Sequence, residues 1–364
     1  MNPFQGQNKL RPRAAVERMH EYHPPLAGRE GLRLDFNENT FAPSPRVQAA
    51  LQRISAETLT KYPERGQVER IAAQYFGLAP EAVLLTNGVD EAIHLVCETY
   101  LEPSDEVVIV TPTFSMYGLY AEATGATVRL IQADDTLQFP YRRVQDAIDS
   151  TTRLIMVASP NNPTGAVIDS EFLLQLAASA PHTALLVDEA YFHFHGESVL
   201  SATQSVTNLF VVRTFSKAYG LAGLRIGLLA GHPEAMRFVR KVSSPYNVNS
   251  IALECLPEAL ADEAYIEWYA DQVLQSRAAA EQVLTKLTVP YWPSHANFIL
   301  MKIGSPHRTF VDRMRHKGVL VRDRSADPGC DGCVRITLGT MKQTNRGLEA
   351  LEETLKEISW QHES

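Results

Sequence analysis

Between residues 83 and 230 the chain alternates short apolar runs with helix-like segments, and this alternation constrains the fold more than any other feature. The runs 83–86 (VLLT), 106–110 (EVVIV), 153–158 (RLIMVA), 183–187 (TALLV), 209–212 (LFVV) and 225–230 (RIGLLA) read as buried strands. Helical spacing lies around and between them. In 68–75, Val68, Ile71, Ala72 and Tyr75 share one helix face, and Gly77 follows as a stop signal. Segments 90–101, 141–149 and 170–180 also suit helices. Strands alternating with helices predict an α/β fold with a mostly parallel sheet flanked by helices on both faces.

After about residue 245 the pattern changes. A long helix is expected over 262–287, with Ala280, Val283, Leu284 and Leu287 on one side. Strand-like 297–303, helix-like 307–316, strands at 318–322 and 333–338, and a terminal helix from about 343 follow. These predict a smaller α+β domain at 246–364 beside a large domain at 46–245. Residues 1–45, rich in proline and poor in periodicity, read as an arm that joins the small domain. The net charge of −8 gives no electrostatic case for nucleic acid. No run approaches the ~18–20 apolar residues of a membrane span, and Met1 to Leu10 lack the apolar core of a signal peptide. Four cysteines are too few for a disulfide scaffold of 364 residues. The expectation is a cytoplasmic protein without nucleic-acid or membrane partners.

Four segments carry chemistry, each at the end of a strand-like run. In Thr214-Phe215-Ser216-Lys217, a lysine after small hydroxyl residues can form a Schiff base if it is desolvated or sits near other cations. Arg225, eight residues on, would offer a fixed cation to a phosphate. In Val187-Asp188-Glu189-Ala190-Tyr191, the acid lies where α/β sheets bind ligands. Such an acid can keep a pyridine nitrogen protonated, or it can simply cap the next segment. No GxxxxGK[ST] accompanies it, so a nucleotide site lacks support. Ser159-Pro160-Asn161-Asn162-Pro163-Thr164-Gly165 is a rigid polar turn, or a turn whose Asn amide also meets a ligand. Thr86-Asn87-Gly88-Val89-Asp90 opens a helix whose free N–H groups suit a phosphate, and is equally a plain helix start.

SPNNPTG, VDEAY and TFSKAYGLAGLRIG, in this order and spacing, resemble the fold-type I aminotransferases that use pyridoxal 5′-phosphate (PLP). LDFNENTFAPSPRV (34–47), KYPERG (61–66), PTFSMY (112–117), SHANFIL (294–300) and VRITLGT (334–340) are similar to the histidinol-phosphate aminotransferase branch. The resemblance covers nearly the whole chain. It implies that Lys217 holds PLP and shuttles the proton, that Asp188 pairs with the ring nitrogen, and that Asn162 and Tyr191 bond the ring's phenolic oxygen. It further implies that Tyr117 stacks on the ring, and that backbone at Val89 and Asp90, with Thr214, Ser216 and Arg225, holds the phosphate. Tyr62 would reach that phosphate from the other subunit of a homodimer. Arg335 would bind a carboxylate, Asn37 and Asn297 would line the substrate site, and Arg322 would help hold the substrate's phosphate, with Arg324 as its alternative. The implied reaction moves the amino group of histidinol phosphate to 2-oxoglutarate in histidine biosynthesis. An aromatic or other amino-acid aminotransferase and a phosphothreonine decarboxylase of the same fold are the alternatives.

Other signals carry less. Cys330-Asp331-Gly332-Cys333 lacks the second ligand pair of a zinc ribbon and reads as two reduced thiols. His193 and His195 flank Phe194 at the edge of a strand or loop and are not expected to bind metal. His20 and His23 have no partner pattern, and Tyr265, Trp268 and Tyr269 suit helix packing. His295 departs from the branch's pattern, and residues 323–332 fit no expected element.

Overall fold

A computed structural model describes residues 10–23 and 28–360. Its strands in chain order are β1 (Leu32–Arg33), β2 (Val83–Thr86), β3 (Glu106–Thr111), β4 (Thr127–Gln132), β5 (Thr152–Ala158), β6 (Ala184–Asp188), β7 (Leu209–Thr214) and β8 (Gly227–Gly231). β9 (Tyr291–Trp292), β10 (Phe298–Lys302), β11 (Val319–Leu320), β12 (Arg322–Asp323) and β13 (Cys333–Thr337) follow. Seven of them form one sheet in the order β2-β8-β7-β6-β5-β3-β4. Only β8 runs against the rest, pairing antiparallel with both β2 and β7. The expected mostly parallel sheet is therefore present. Its apolar runs are continuous because helices cover both faces: every residue of β2, β6, β7 and β8 is buried.

β4 was not among the expected strands. It is the sheet's edge, its sequence TVRLIQ mixes polar and apolar residues, and Thr127, Leu130 and Gln132 are exposed. A half-wet edge gives no apolar run to read. The helices Pro45–Gln52, Met116–Thr124, Pro233–Val242 and Ser250–Leu260 were likewise not read in advance. The helix expected over 262–287 spans Glu263–Lys286. Among the described residues no helix is long and apolar enough to cross a membrane.

A second, antiparallel sheet has the order β12-β13-β10-β9. β1 pairs in parallel with β11, which ties the segment before the first large-sheet strand to the C-terminal part of the chain. Residues 323–332 leave β12 and return to β13 through a turn in which Ser325 Oγ accepts from Gly332 N–H.

The strand ends that carry chemistry are clamped from below by a buried ion pair. Glu189 follows Asp188 directly, and Arg213 precedes Thr214. Arg213 Nε donates to Glu189 Oε2 at 2.8 Å, and the guanidinium lies 3.6 Å from the centre of the Phe192 ring. Ser198 Oγ and Val199 N–H donate to the same carboxylate. Truncating one partner of a buried pair strands the other charge. Arg213→Ala should therefore lower stability by about 3–5 kcal/mol in urea denaturation. A loss below about 1 kcal/mol, the range of exposed pairs, would show that the pair is not a clamp.

Candidate active site

The C-terminal ends of β2, β5, β6 and β7 converge on one cavity of about 340 Å³. This is the position at which open α/β sheets bind ligands. Lys217 lies just beyond β7, half-buried, with Nζ donating to the backbone oxygen of Phe36 at 3.0 Å. Burial, and then the nearby Arg335, push its pKa down to about 8. A lysine in that range is partly neutral at physiological pH and can act as a nucleophile or a base.

Asp188 ends β6. Its Oδ2 accepts from the Tyr117 hydroxyl at 2.7 Å and its Oδ1 from Ala190 N–H at 2.9 Å. Burial raises its pKa to about 6, against the pull of those two bonds. A cation placed against it would restore full ionisation. Tyr117 is in the cavity wall with its hydroxyl tied to Asp188. Tyr191 is also in the wall, and its hydroxyl accepts from Asn37 Nδ2 at 2.9 Å.

One end of the cavity suits a phosphate. The helix Gly88–Tyr100 begins there, with Val89 and Asp90 in the wall, and Thr214, Ser216 and Arg225 face them. A Cβ on Gly88 would lie 2.6 Å from Arg225 Nη2, and one on Gly227 would lie 2.7 Å from the Gly88 carbonyl carbon. Gly88 must be glycine so that bare backbone can sit beside the guanidinium, and Gly227 so that β8 can approach the backbone at Gly88 and Val89. Arg225 adopts the left-handed conformation, φ 52°, and donates to Asp90 Oδ2 at 3.0 Å.

The other end gathers three arginines. Arg322 of β12 and Arg335 of β13 are direct cross-strand partners. Arg324 stands two residues beyond Arg322, and all three line the cavity. Like charges directly opposite each other are destabilising in a sheet. Arg335 is buried. It donates to Asn162 Oδ1 and, at 2.7 Å, to the backbone oxygen of Asp35, while its Nε has no partner. Burial first, and then Arg324, push its pKa down to about 9. Arg324 pairs with Asp327. No carboxylate pairs with Arg335 or Arg322 among the described residues, so this end awaits an anion.

Most of the expected site residues thus meet in one cavity, and two stand elsewhere. Asn297 is fully buried behind the wall, where its Nδ2 donates to the Asn37 backbone oxygen at 3.2 Å. Tyr62 is 78% exposed, stacks on Tyr246 with centroids 4.5 Å apart, and faces a different groove. The cavity also has walls that the sequence reading passed over, among them Tyr22, Phe36, Glu38, Phe114 and Ser115. Phe114 and Ser115 sit inside the PTFSMY motif, which was the available signal. The backbone oxygens of Asp35 and Phe36 had none.

The profile of the family aminotransferase class I and II matches residues 29–351. The chain belongs to that family. Histidinol-phosphate aminotransferase 1 of a Nostoc species is 34% identical over 355 residues, covering 94% of this chain and 98% of its own. The structure of histidinol-phosphate aminotransferase from Sinorhizobium meliloti in complex with PLP superposes with a TM-score of 0.87 at 23% identity, covering 96% of this chain and 98% of that one. L-threonine-O-3-phosphate decarboxylase from Porphyromonas gingivalis gives 0.77 at 24%, covering 89% and 99%. At those identities the two structures establish the fold, which an aminotransferase shares with a lyase.

The cofactor of this aminotransferase is PLP, and the cavity fits it. A lysine of lowered pKa, a buried acid for a cationic ring, and a phosphate cup of Val89, Asp90, Thr214, Ser216 and Arg225 stand at three sides of one space. Capture of PLP by the cofactor-free protein needs Lys217 neutral. Because its pKa is lowered to about 8, the capture rate should rise about tenfold per pH unit below that point and level off above it. Stopped-flow absorbance measures this. A rate independent of pH across the range would contradict the desolvated state of Lys217.

Proposed function

We propose that this aminotransferase moves the amino group of histidinol phosphate to 2-oxoglutarate, as a step of histidine biosynthesis. The observation that carries the reading is the arginine cluster at the end of the cavity away from Arg225. Two substrates must use it in turn. Histidinol phosphate bears a phosphate on the carbon next to its amine-bearing carbon, and glutamate bears its α-carboxylate in the same place. Arg335, with its unpartnered Nε and with Arg322 or Arg324 beside it, is a planar donor set for either anion.

When bound, PLP supplies an electron sink for the pair released as the substrate's Cα proton leaves. Lys217 Nζ would be the base that takes this proton from Cα and hands it on to the cofactor. Asp188 would hold the positive charge on the ring nitrogen, and the Tyr191 hydroxyl and the Asn162 amide, both in the wall, would meet the phenolic oxygen. Val89, Asp90, Thr214, Ser216 and Arg225 would grip the phosphate and keep the cofactor in the cavity. Tyr117 packs against the ring. Asn37 shapes the substrate side, with Asn297 supporting it from behind. In this reading two copies of the chain assemble, and Tyr62, exposed on its own subunit, reaches the phosphate bound by the other. The same reading places the enzyme in the cytoplasm.

The decisive test is the first half-reaction, in which a single amino donor is added to the PLP-loaded protein and cofactor absorbance is followed. Histidinol phosphate is expected to react at micromolar concentration, and phenylalanine to need ~100-fold more or worse, the range that a missing polar contact produces. Reaction with phenylalanine alone would make the protein an aromatic aminotransferase. Release of CO2 from phosphothreonine without any 2-oxo acid would make it a lyase.

A further inference from the structure

The hydrogen bonds behind Tyr191 run in one direction, and a threonine outside the cavity sets it. The backbone N–H of Asn37 donates to Thr337 Oγ1 at 3.0 Å. The Thr337 hydroxyl therefore keeps its own proton to donate, and Asn37 Oδ1 lies 3.2 Å away. Thr337 is fully buried, so no bulk water competes for that proton. With Oδ1 engaged, the Asn37 amide turns Nδ2 towards Tyr191 and donates to its hydroxyl at 2.9 Å. A phenol has one proton, so Tyr191, accepting on that side, holds its own for a partner in the cavity that it lines.

The second sheet holds this chain of bonds in place. Thr337 ends β13 opposite Phe298 of β10, and Asn297, next to Phe298, bonds the Asn37 backbone oxygen at 3.2 Å. Asn37 itself is in the left-handed region, φ 54°, a conformation that Asn adopts more readily than most residues with a side chain. Thr337 lies two residues beyond Arg335 on the same strand. The strand that aims Arg335 into the site thus also fixes the amide behind Tyr191.

We propose that Thr337 is a positioning residue that fixes the Tyr191 phenol as a hydrogen-bond donor into the cavity, towards the phenolic oxygen of the cofactor. The inference rests on the functional reading above, in which that oxygen faces Tyr191. Thr337→Val keeps the shape of the side chain and removes its polarity. Asn37 Oδ1 is then free to accept from Tyr191, and the phenol proton turns away from the cavity. A donated hydrogen bond stabilises negative charge on the cofactor oxygen and lets the bound cofactor lose its proton at lower pH. Losing the bond raises that midpoint.

The experiment is a spectrophotometric pH titration of the PLP-loaded protein. Thr337→Val should raise the midpoint by roughly 0.5–1 pH unit, and Thr337→Ser should restore the wild-type value. Tyr191→Phe should raise it at least as far, and Thr337→Val added to Tyr191→Phe should move it no further, because both act through one group. Thr337→Ala leaves Asn37 Oδ1 equally free to accept from Tyr191 and should give the same upward shift; it carries the test if Thr337→Val does not fold. An unmoved midpoint in the folded single variant, or an additive shift in the double variant, overturns the inference and leaves the functional reading standing. If PLP produces no absorbance band that depends on Lys217, both fall together.

Discussion

A guanidinium buried without a carboxylate is the condition around which this protein is organised. The desolvation penalty of one unpaired ion in a protein interior is several kcal/mol, and Arg335 carries it beside the like charges of Arg322 and Arg324. Neutral acceptors make the arrangement tolerable: Asn162 Oδ1 on one side, the Asp35 backbone oxygen on another, and the Phe298 ring 5.3 Å away. None of them neutralises the charge. The site is therefore complementary to an anion before any substrate arrives, and binding one relieves a penalty that folding has already incurred.

Other features follow from where that cation sits. It reaches the cavity from the second sheet, whereas Lys217, Asp188 and Arg225 come from the first. The segment from Asp35 to Glu38 lies between them. Its backbone oxygens hold Arg335 and Lys217, and its Asn37 side chain holds Tyr191. A short irregular stretch thus couples the two sheets, which is why it contains a left-handed residue and why Thr337 and Asn297 pin it. Arg335 also helps to push the Lys217 pKa down, so the unpaired cation of the second sheet also favours a neutral lysine beside the first.

The strands of the first sheet were legible because burial on both faces demands unbroken apolar runs, as in VLLT and LFVV. β4 was not, since an edge strand keeps polar residues. The cofactor end was legible too: each of its groups sits in a compact segment at a strand end, where residue type and position narrow the chemistry. The substrate end was only partly so. Arg322 and Arg324 could not be separated because a strand of period two sends both to the same side, and both do line the cavity. Asn297 carried the right type of side chain but lies one layer back. The bond from Tyr117 to Asp188 and the carbonyls of Asp35 and Phe36 belong to tertiary geometry, which no local pattern records.

The shared use of one arginine cluster by two chemically different anions is the centre of this account. Its most direct test is to measure both half-reactions separately in Arg335→Met, one with histidinol phosphate and one with glutamate. Both should fall by ~100-fold or more, the effect of losing about 2.7 kcal/mol of charge-assisted binding. A wild-type rate retained with either donor would contradict it and assign the two anions to different residues.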